Sequence, residues 1–142
     1  MENTVIMMGM GYIGLPTAAL IAQKGTQVHG VDINPKVVET INRGEIHIVE
    51  PKLGDIVKAA VEKGTLVADT EPTQGYAYLI VVPTPFKDKN EPDISFVEAA
   101  TKAVIPLMKE NDLYIIESTS PIGTTEKMED LIYTERPELK GK

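Results

Sequence analysis

Gly9, Gly11 and Gly14 follow the spacing G-x-G-x-x-G, which is typical of a backbone turn that holds a diphosphate. The first glycine allows a tight bend, the second allows the backbone to approach the phosphates, and the third allows a helix to pack closely on the preceding strand. The helix then points its first N–H groups and a partial positive charge at the phosphates. Tyr12 and Ile13 are expected to direct their backbone N–H groups to the same place. The spacing therefore predicts a dinucleotide site.

An acidic residue follows at the distance that such a site requires. Asp32 lies 18 residues after Gly14, within a second apolar run at residues 28–33. Its carboxylate can accept hydrogen bonds from the adenosine ribose hydroxyls of NAD, and it would repel the 2′-phosphate of NADP. The glycines and this acid together predict NAD as the cofactor.

The surrounding sequence supplies the elements that would position these residues. Residues 5–8 are apolar, as in a buried strand, and residues 15–24 have the pattern of a helix. Strand-like runs and helical patterns then alternate, which predicts an α/β fold: a Rossmann-type doubly wound parallel sheet with helices on both faces. Further helices are predicted at residues 35–42, 51–63, 93–108 and 124–133, and further strands at residues 65–68, 77–82 and 113–116.

Small hydroxyl residues follow the last two predicted strands. Ligands of an open parallel sheet bind beyond the carboxyl ends of its strands. Thr84 and Thr119 come directly after such ends, and we predict that they hydrogen-bond a ribose or the nicotinamide amide. Ser118 and Ser120 are explained equally well as ligand-binding residues or as loop and cap residues.

Composition narrows the possible partners. A chain of 142 residues with 42% hydrophobic and 25% charged residues is expected to form one domain, residues 1–142. The net charge of −7 argues against nucleic-acid and anionic-membrane partners. No apolar run reaches the roughly 20 residues of a membrane span, so a cytoplasmic location is the default expectation. The chain contains no cysteine and therefore no disulfide or cysteine nucleophile.

We predict no catalytic role for either of the two histidines. His29 lies within a predicted strand and is expected to be half-buried with its hydrogen bonds satisfied. His47 has Glu45 and Glu50 nearby, but nothing in the sequence fixes their geometry, and we predict no metal site. Hydride transfer needs a base and a substrate pocket, and the chain offers no convincing base. The sequence therefore predicts a cofactor-binding part of an enzyme without the residues that carry out the reaction.

Six stretches of the chain match one known family: GMGYIGLPTAA, GVDIN, TINRGEIHIVEP, VPTPFK, EPD and ESTSPIGTTEKM. They resemble the nucleotide-sugar 6-dehydrogenase family, the UDP-glucose/GDP-mannose dehydrogenases. The resemblance implies oxidation of a sugar C6 alcohol to a carboxylate with two NAD⁺, through a thiohemiacetal on an active-site cysteine. It also implies that Thr84, Thr119 and Thr125 lie near the cofactor, Thr119 near the reacting carbon.

The resemblance covers only the family's N-terminal, NAD-binding third. The catalytic cysteine and the lysine and asparagine that assist it belong to later parts of the family, and this chain has no cysteine. We therefore expect a fragment of a longer chain that binds NAD(H) and turns nothing over. The nucleotide-sugar substrate would bind with the downstream domain. The resemblance implies a homodimer for the full-length protein and leaves a monomeric fragment open.

Two alternatives share the glycine-rich turn. A stand-alone NAD-sensing regulatory domain, such as those attached to potassium-transport systems, is also a single Rossmann domain, but it would not explain VPTPFK or ESTSPIGTTEKM. A Rossmann-like methyltransferase can have a similar turn and acidic strand end. The full spacing of Gly9, Gly11 and Gly14 argues against it.

Overall fold

Strands and helices alternate through most of the chain. The computed structural model describes residues 4–11, 13–47, 51–82, 86–87, 91–92, 95–117 and 123–139. The strands are β1 (Thr4–Met8), β2 (Gln27–Val31), β3 (Leu66–Asp69), β4 (Ala77–Ile80), β5 (Phe86–Lys87), β6 (Glu91–Pro92) and β7 (Leu113–Ile116). The helices are α1 (Gly14–Gln23), α2 (Pro35–Asn42), α3 (Leu53–Lys63), α4 (Ser95–Val104) and α5 (Thr124–Glu135).

Five of the strands form a parallel sheet in the order β3-β2-β1-β4-β7. The chain builds outward from β1 to β3 and then returns to the other side of β1, so β1 and β4 flank the point where the winding reverses. Met8 pairs with Val31 on one side and with Ile80 on the other, which places the carboxyl ends of the three central strands at one level. Ligands of doubly wound sheets bind at this position. The predicted α/β architecture is confirmed.

The sheet is covered on both faces, which explains why β1 and β4 are almost entirely apolar. All five residues of β1 and all four of β4 are buried. Alternate residues point to opposite faces. Met7 packs in a core with α1, α2 and α3, whereas Met8 packs in a second core with α4 and α5.

Local chemistry shifts some predicted boundaries. The helix predicted from residue 51 begins at Leu53, because Lys52 has a φ of 66° that no helix contains. The helix predicted for residues 93–108 is α4 followed by a 3₁₀ segment, Ile105–Leu107, since Pro106 cannot donate the next helical hydrogen bond. Between β4 and α4 the structure has the antiparallel pair β5 and β6, which sequence analysis did not predict.

The end of the described chain is also more ordered than its polar sequence indicates. Helix α5 continues to Glu135, two residues beyond the prediction, and a 3₁₀ segment, Pro137–Leu139, follows it. Leu139 is buried against the α4/α5 side of the sheet. The guanidinium of Arg136 donates to the carbonyl oxygen of Ile105 at 2.9 Å and also pairs with Glu138. These contacts attach the segment to the domain.

A buried tyrosine joins the amino end of β4 to the segment after α4. Tyr78 is fully buried; its hydroxyl donates to the carbonyl oxygen of Leu107 at 3.1 Å and accepts from the N–H of Gly75 at 3.2 Å. Leu107 O also accepts from the side-chain amide of Gln74. Loss of the hydroxyl group would therefore leave mainly the Gly75 N–H without a hydrogen-bond partner, because Leu107 O keeps its bond from Gln74.

We expect Tyr78→Phe to lower the free energy of unfolding at pH 7 by about 1–3 kcal/mol, the cost of an unpaired buried group. Burial raises the pKa of Tyr78 above its ordinary value. The native protein therefore keeps this proton when the unfolded chain has lost it, so the tyrosine's contribution falls as the pH rises above about 10. Urea denaturation of both proteins at pH 7 and pH 10.5 measures this. The same change at exposed Tyr76 is the control, and an equal loss there would contradict the argument.

Candidate cofactor site

A cleft of about 660 Å³ lies beyond the carboxyl ends of β1, β2 and β4. Its walls come from the glycine-rich turn, the residues after β2 and β3, and one side of α4. Most of its surface is apolar, with Asp32 as the one charged residue among the described lining residues. These are Met8, Gly9, Met10, Gly11, Ile13, Val31, Asp32, Ile33, Thr70, Pro72, Val81, Val82, Phe96, Ala99, Ala100 and Ala103.

Two of the three motif glycines are required by the protein itself. Gly9 has a φ of 106°, and a Cβ there would lie 2.6 Å from the carbonyl oxygen of Val81. A Cβ on Gly14 would collide with the carbonyl oxygen of Gly9. Gly9 also donates its N–H to the carbonyl oxygen of Val31 at 2.8 Å. These contacts hold the turn tightly between β2, β4 and α1.

Gly11 differs from the other two. Among the described residues other than its chain neighbours, none has an atom within 4 Å of the place its Cβ would take, and its φ is not in the left-handed region. The fold would therefore accept a side chain at this position. Gly11 lines the cleft, so a side chain added there could meet a ligand in it.

The helix after the turn begins beside the cleft. Ile13, the residue that precedes α1, lines the cleft and is 54% exposed, and no side chain caps the helix start. An uncapped helix start is suited to an anion. Tyr12, which sequence analysis placed at the phosphates, lies outside the described residues.

Asp32 is held between the glycine-rich turn and the start of α2. Its Oδ2 accepts from the N–H of Met10 at 3.2 Å, and its Oδ1 accepts from the N–H of Asn34 at 3.0 Å. Asn34 in turn caps α2 by accepting from the N–H of Lys36, as its sequence position predicts. Each carboxylate oxygen can accept a further hydrogen bond. The half-buried carboxylate is thus oriented and can still bind two hydroxyl groups.

The remainder of the cleft suits a flat apolar group. Ile33 is 83% exposed immediately after Asp32, and Phe96 of α4 is 39% exposed; both line the cleft. Sequence analysis did not predict Phe96 as a site residue. Sequence analysis also missed Ile33, Thr70 and Pro72. Only Ile33 had a signal, an apolar residue next to the acid.

The predicted threonines fall into two groups. Thr125 is described: it is the second residue of α5, it is exposed, and it does not belong to the described lining of the cleft. Thr84 and Thr119 lie outside the described residues, as do Ser118 and Ser120.

The histidines show no catalytic arrangement in the described part of the chain. Nε2 of His29 lies 3.1 Å from the carbonyl oxygen of Glu71, so His29 is half-buried and hydrogen-bonded, as predicted. No three described His, Asp or Glu residues are grouped to hold a metal ion, and Glu50 is outside the described residues. Among the described helices, none combines the length and apolar character needed to cross a membrane.

Comparisons with known proteins agree with this geometry. The profile of the UDP-glucose/GDP-mannose dehydrogenase family, NAD binding domain, matches residues 3–141. A UDP-N-acetyl-D-mannosamine dehydrogenase from Salmonella typhi is 57% identical over 137 residues, which are 96% of this chain and 33% of that protein. An NDP-N-acetyl-D-galactosaminuronic acid dehydrogenase from Ralstonia nicotianae is 52% identical over 96% of this chain and 32% of its own length.

A solved structure shows the same fold. The UDP-D-ManNAc dehydrogenase from Pyrococcus horikoshii superposes with a TM-score of 0.92 at 37% identity, over 97% of this chain and 34% of that one. The chain therefore spans about a third of the length of the relatives it matches.

Proposed function

This chain belongs to the UDP-glucose/GDP-mannose dehydrogenase family and matches the NAD-binding domain of that family, and from that premise we propose that it is the NAD-binding domain of a UDP-N-acetyl-D-mannosamine 6-dehydrogenase. Such an enzyme oxidises the sugar C6 alcohol to a carboxylate with two NAD⁺. The sugar is supported by the name of the 57% identical relative. The observation that carries the cofactor assignment is the oriented Asp32 carboxylate beside a glycine-rich turn, over one cleft.

Each part of the cleft fits one part of the cofactor. We assign the pyrophosphate to the backbone of Gly9, Gly11 and Gly14 and to Ile13 at the start of α1. Tyr12 is assigned to it from its place in the glycine motif alone. The two oxygens of Asp32 would accept the adenosine ribose hydroxyls, which explains a preference for NAD over NADP. The exposed apolar side chains of Ile33 and Phe96 would hold the adenine. When bound, NAD⁺ supplies the hydride acceptor for the oxidation.

The nicotinamide end of the cofactor would be bound by residues other than the described lining of the cleft. Thr84, Thr119 and Thr125 are proposed to lie near the ribose or the nicotinamide, on the strength of their matching family stretches. The chain itself has no cysteine to form a covalent intermediate with the sugar. We propose that the thiol, most of the sugar pocket and the dimer contacts belong to a further part of the protein.

A stand-alone NAD-sensing domain is the alternative function. The family match over residues 3–141 and the dehydrogenase relatives favour the enzyme. Both functions use the same cofactor site, so the NAD-binding prediction holds for either, and only the chemistry separates them.

We expect the purified chain to bind NADH and to bind NADPH at least about tenfold more weakly, a difference of about 1.4 kcal/mol. Calorimetric titration with each nucleotide measures this. The chain should form no NADH from NAD⁺ and UDP-N-acetylmannosamine. Equal binding of the two nucleotides would contradict the role of Asp32, and steady NADH formation would contradict the proposed division of the enzyme.

A further inference from the structure

We propose that Met10 and Gly30 act as a positioning pair that holds the Asp32 carboxylate in place for the ribose hydroxyls. The proposal rests on the cofactor assignment above and goes beyond it. It gives a ligand-binding purpose to two residues outside the three motif glycines and the acid.

Met10 is fully buried although it belongs to a turn that lines a cleft. Its side chain packs in the core formed with α1, α2 and α3 and reaches β2 at Gly30. A Cβ on Gly30 would lie 2.5 Å from Cε and 2.7 Å from Sδ of Met10, and 3.3 Å from its Cγ. The methionine therefore occupies the space that a side chain at position 30 would need.

The backbone of Met10 connects this packing to the ligand site. Its N–H donates to Oδ2 of Asp32 at 3.2 Å. Because the side chain is enclosed in the core, the peptide that carries this N–H cannot move far without disturbing the packing. The side chain thus fixes the position of the donor, and the donor fixes one carboxylate oxygen.

Gly30 is also close to Asp32 along the chain. It lies two residues earlier, in β2, where Val31 O accepts from Gly9 N at 2.8 Å. The turn is therefore joined to this part of the chain by a backbone bond, Gly9 to Val31, and by the bond from Met10 N–H to the Asp32 side chain. The Met10 side chain fills the gap over Gly30. A larger residue at position 30 would press on the methionine, and through it on the hydrogen bond to Asp32.

The test compares two ligands that differ only at the ribose, ADP and 2′-deoxy-ADP. We expect the unmodified chain to bind ADP about tenfold more tightly, since a hydrogen bond to a charged group is worth that much. In Gly30→Ala this ratio should fall below that of the unmodified chain, because Oδ2 of Asp32 loses its aligned donor and only Oδ1 keeps its bond, from Asn34. The affinity for 2′-deoxy-ADP should change less than about threefold, because its pyrophosphate and adenine contacts remain. A loss of folding stability alone would not change the ratio.

Rescue and control variants complete the experiment. Met10→Ala/Gly30→Ala removes the collision and puts a methyl group into part of the space that the methionine filled, so its ratio should be higher than that of either single variant. Gly54→Ala is the matched control, because the single described residue that a Cβ there would meet is Ile46, at 3.9 Å, and the ratio of this variant should be unchanged. If Gly30→Ala does not fold, Met10→Ala alone should lower the ratio by freeing the turn.

The outcomes separate the two proposals. An unchanged ratio in folded Gly30→Ala, or in Met10→Ala where that variant is needed, would overturn the positioning pair and leave the cofactor site intact. A double variant that stays at the Gly30→Ala ratio would also overturn the pair. Failure of the unmodified chain to bind ADP or NADH would overturn the cofactor assignment itself, and the pair with it.

Discussion

Gly11→Ala is expected to fold as well as the unmodified chain and to lose most of its affinity for NADH. In the part of the chain that the structure describes, a Cβ on Gly11 meets no atom within 4 Å apart from its chain neighbours, so the fold does not require glycine at this position. The unfolded chain with alanine has less freedom to lose, which adds up to about 0.4–1 kcal/mol of stability. The new methyl group would instead face a ligand in the cleft.

The loss of affinity can be bounded from the cost of overpacking. Forcing an extra methyl group into a tight contact costs about 1–3 kcal/mol. That cost corresponds to NADH binding that is about 5–150-fold weaker. Calorimetric titration with NADH gives the affinity, and thermal unfolding gives the stability of the same sample. Normal NADH binding by Gly11→Ala would place the pyrophosphate elsewhere.

Gly14→Ala is the matched comparison, because it is the same substitution three residues later. Its Cβ would collide with the carbonyl oxygen of Gly9, which is backbone and cannot move aside cheaply. We expect this variant to be clearly less stable than the unmodified chain in thermal unfolding. The two variants together separate the glycine that the ligand requires from one that the fold requires.

The polar half of the site could be predicted from sequence because its positions are fixed by backbone geometry. A turn with a positive φ at Gly9, and a helix that packs against that turn at Gly14, admit glycine alone. The distance from Gly14 to Asp32 follows from one helix and one strand of ordinary length. Spacing along the chain therefore carries this information.

The apolar half could not be predicted in the same way. Helical periodicity shows that Phe96 lies on the apolar side of α4, but it does not show whether that side faces the core or a cleft. Thr70 and Pro72 line the cleft from the connection between β3 and β4, which meets β2 where Glu71 O lies 3.1 Å from Nε2 of His29. That path depends on the sheet order, which becomes visible only in three dimensions.

The contact between Met10 and Gly30 is a second feature of the site that could not be predicted from the sequence. In the sequence, Met10 stands at a position for which the motif G-x-G-x-x-G specifies no residue type, and Gly30 is a glycine within a predicted strand. Their contact joins residues 20 positions apart, and it arises only when β2 pairs with β1. A strand glycine does signal a close approach by another group. It does not say which group approaches.

Asp32→Asn is expected to remove the preference for NADH over NADPH. The asparagine keeps the shape of the side chain and one carbonyl oxygen, but its NH₂ group cannot accept from the N–H of Met10 or Asn34. It also has no charge to strengthen the bonds to the ribose hydroxyls or to repel a 2′-phosphate. Loss of hydrogen bonds to a charged group costs about 1.5–3 kcal/mol, which predicts NADH binding about 10–150-fold weaker.

NADPH should respond in the opposite direction, since the repulsion at its 2′-phosphate is removed. The ratio of the two dissociation constants, measured by titration of the same protein sample, is therefore the decisive quantity. Asp130→Asn, on the exposed surface of α5, changes the net charge by the same amount and should leave the ratio as it is. If both variants shifted the ratio equally, the overall charge of the domain would be selecting the cofactor. A shift confined to Asp32→Asn would assign the selection to the carboxylate that the glycine-rich turn holds in place.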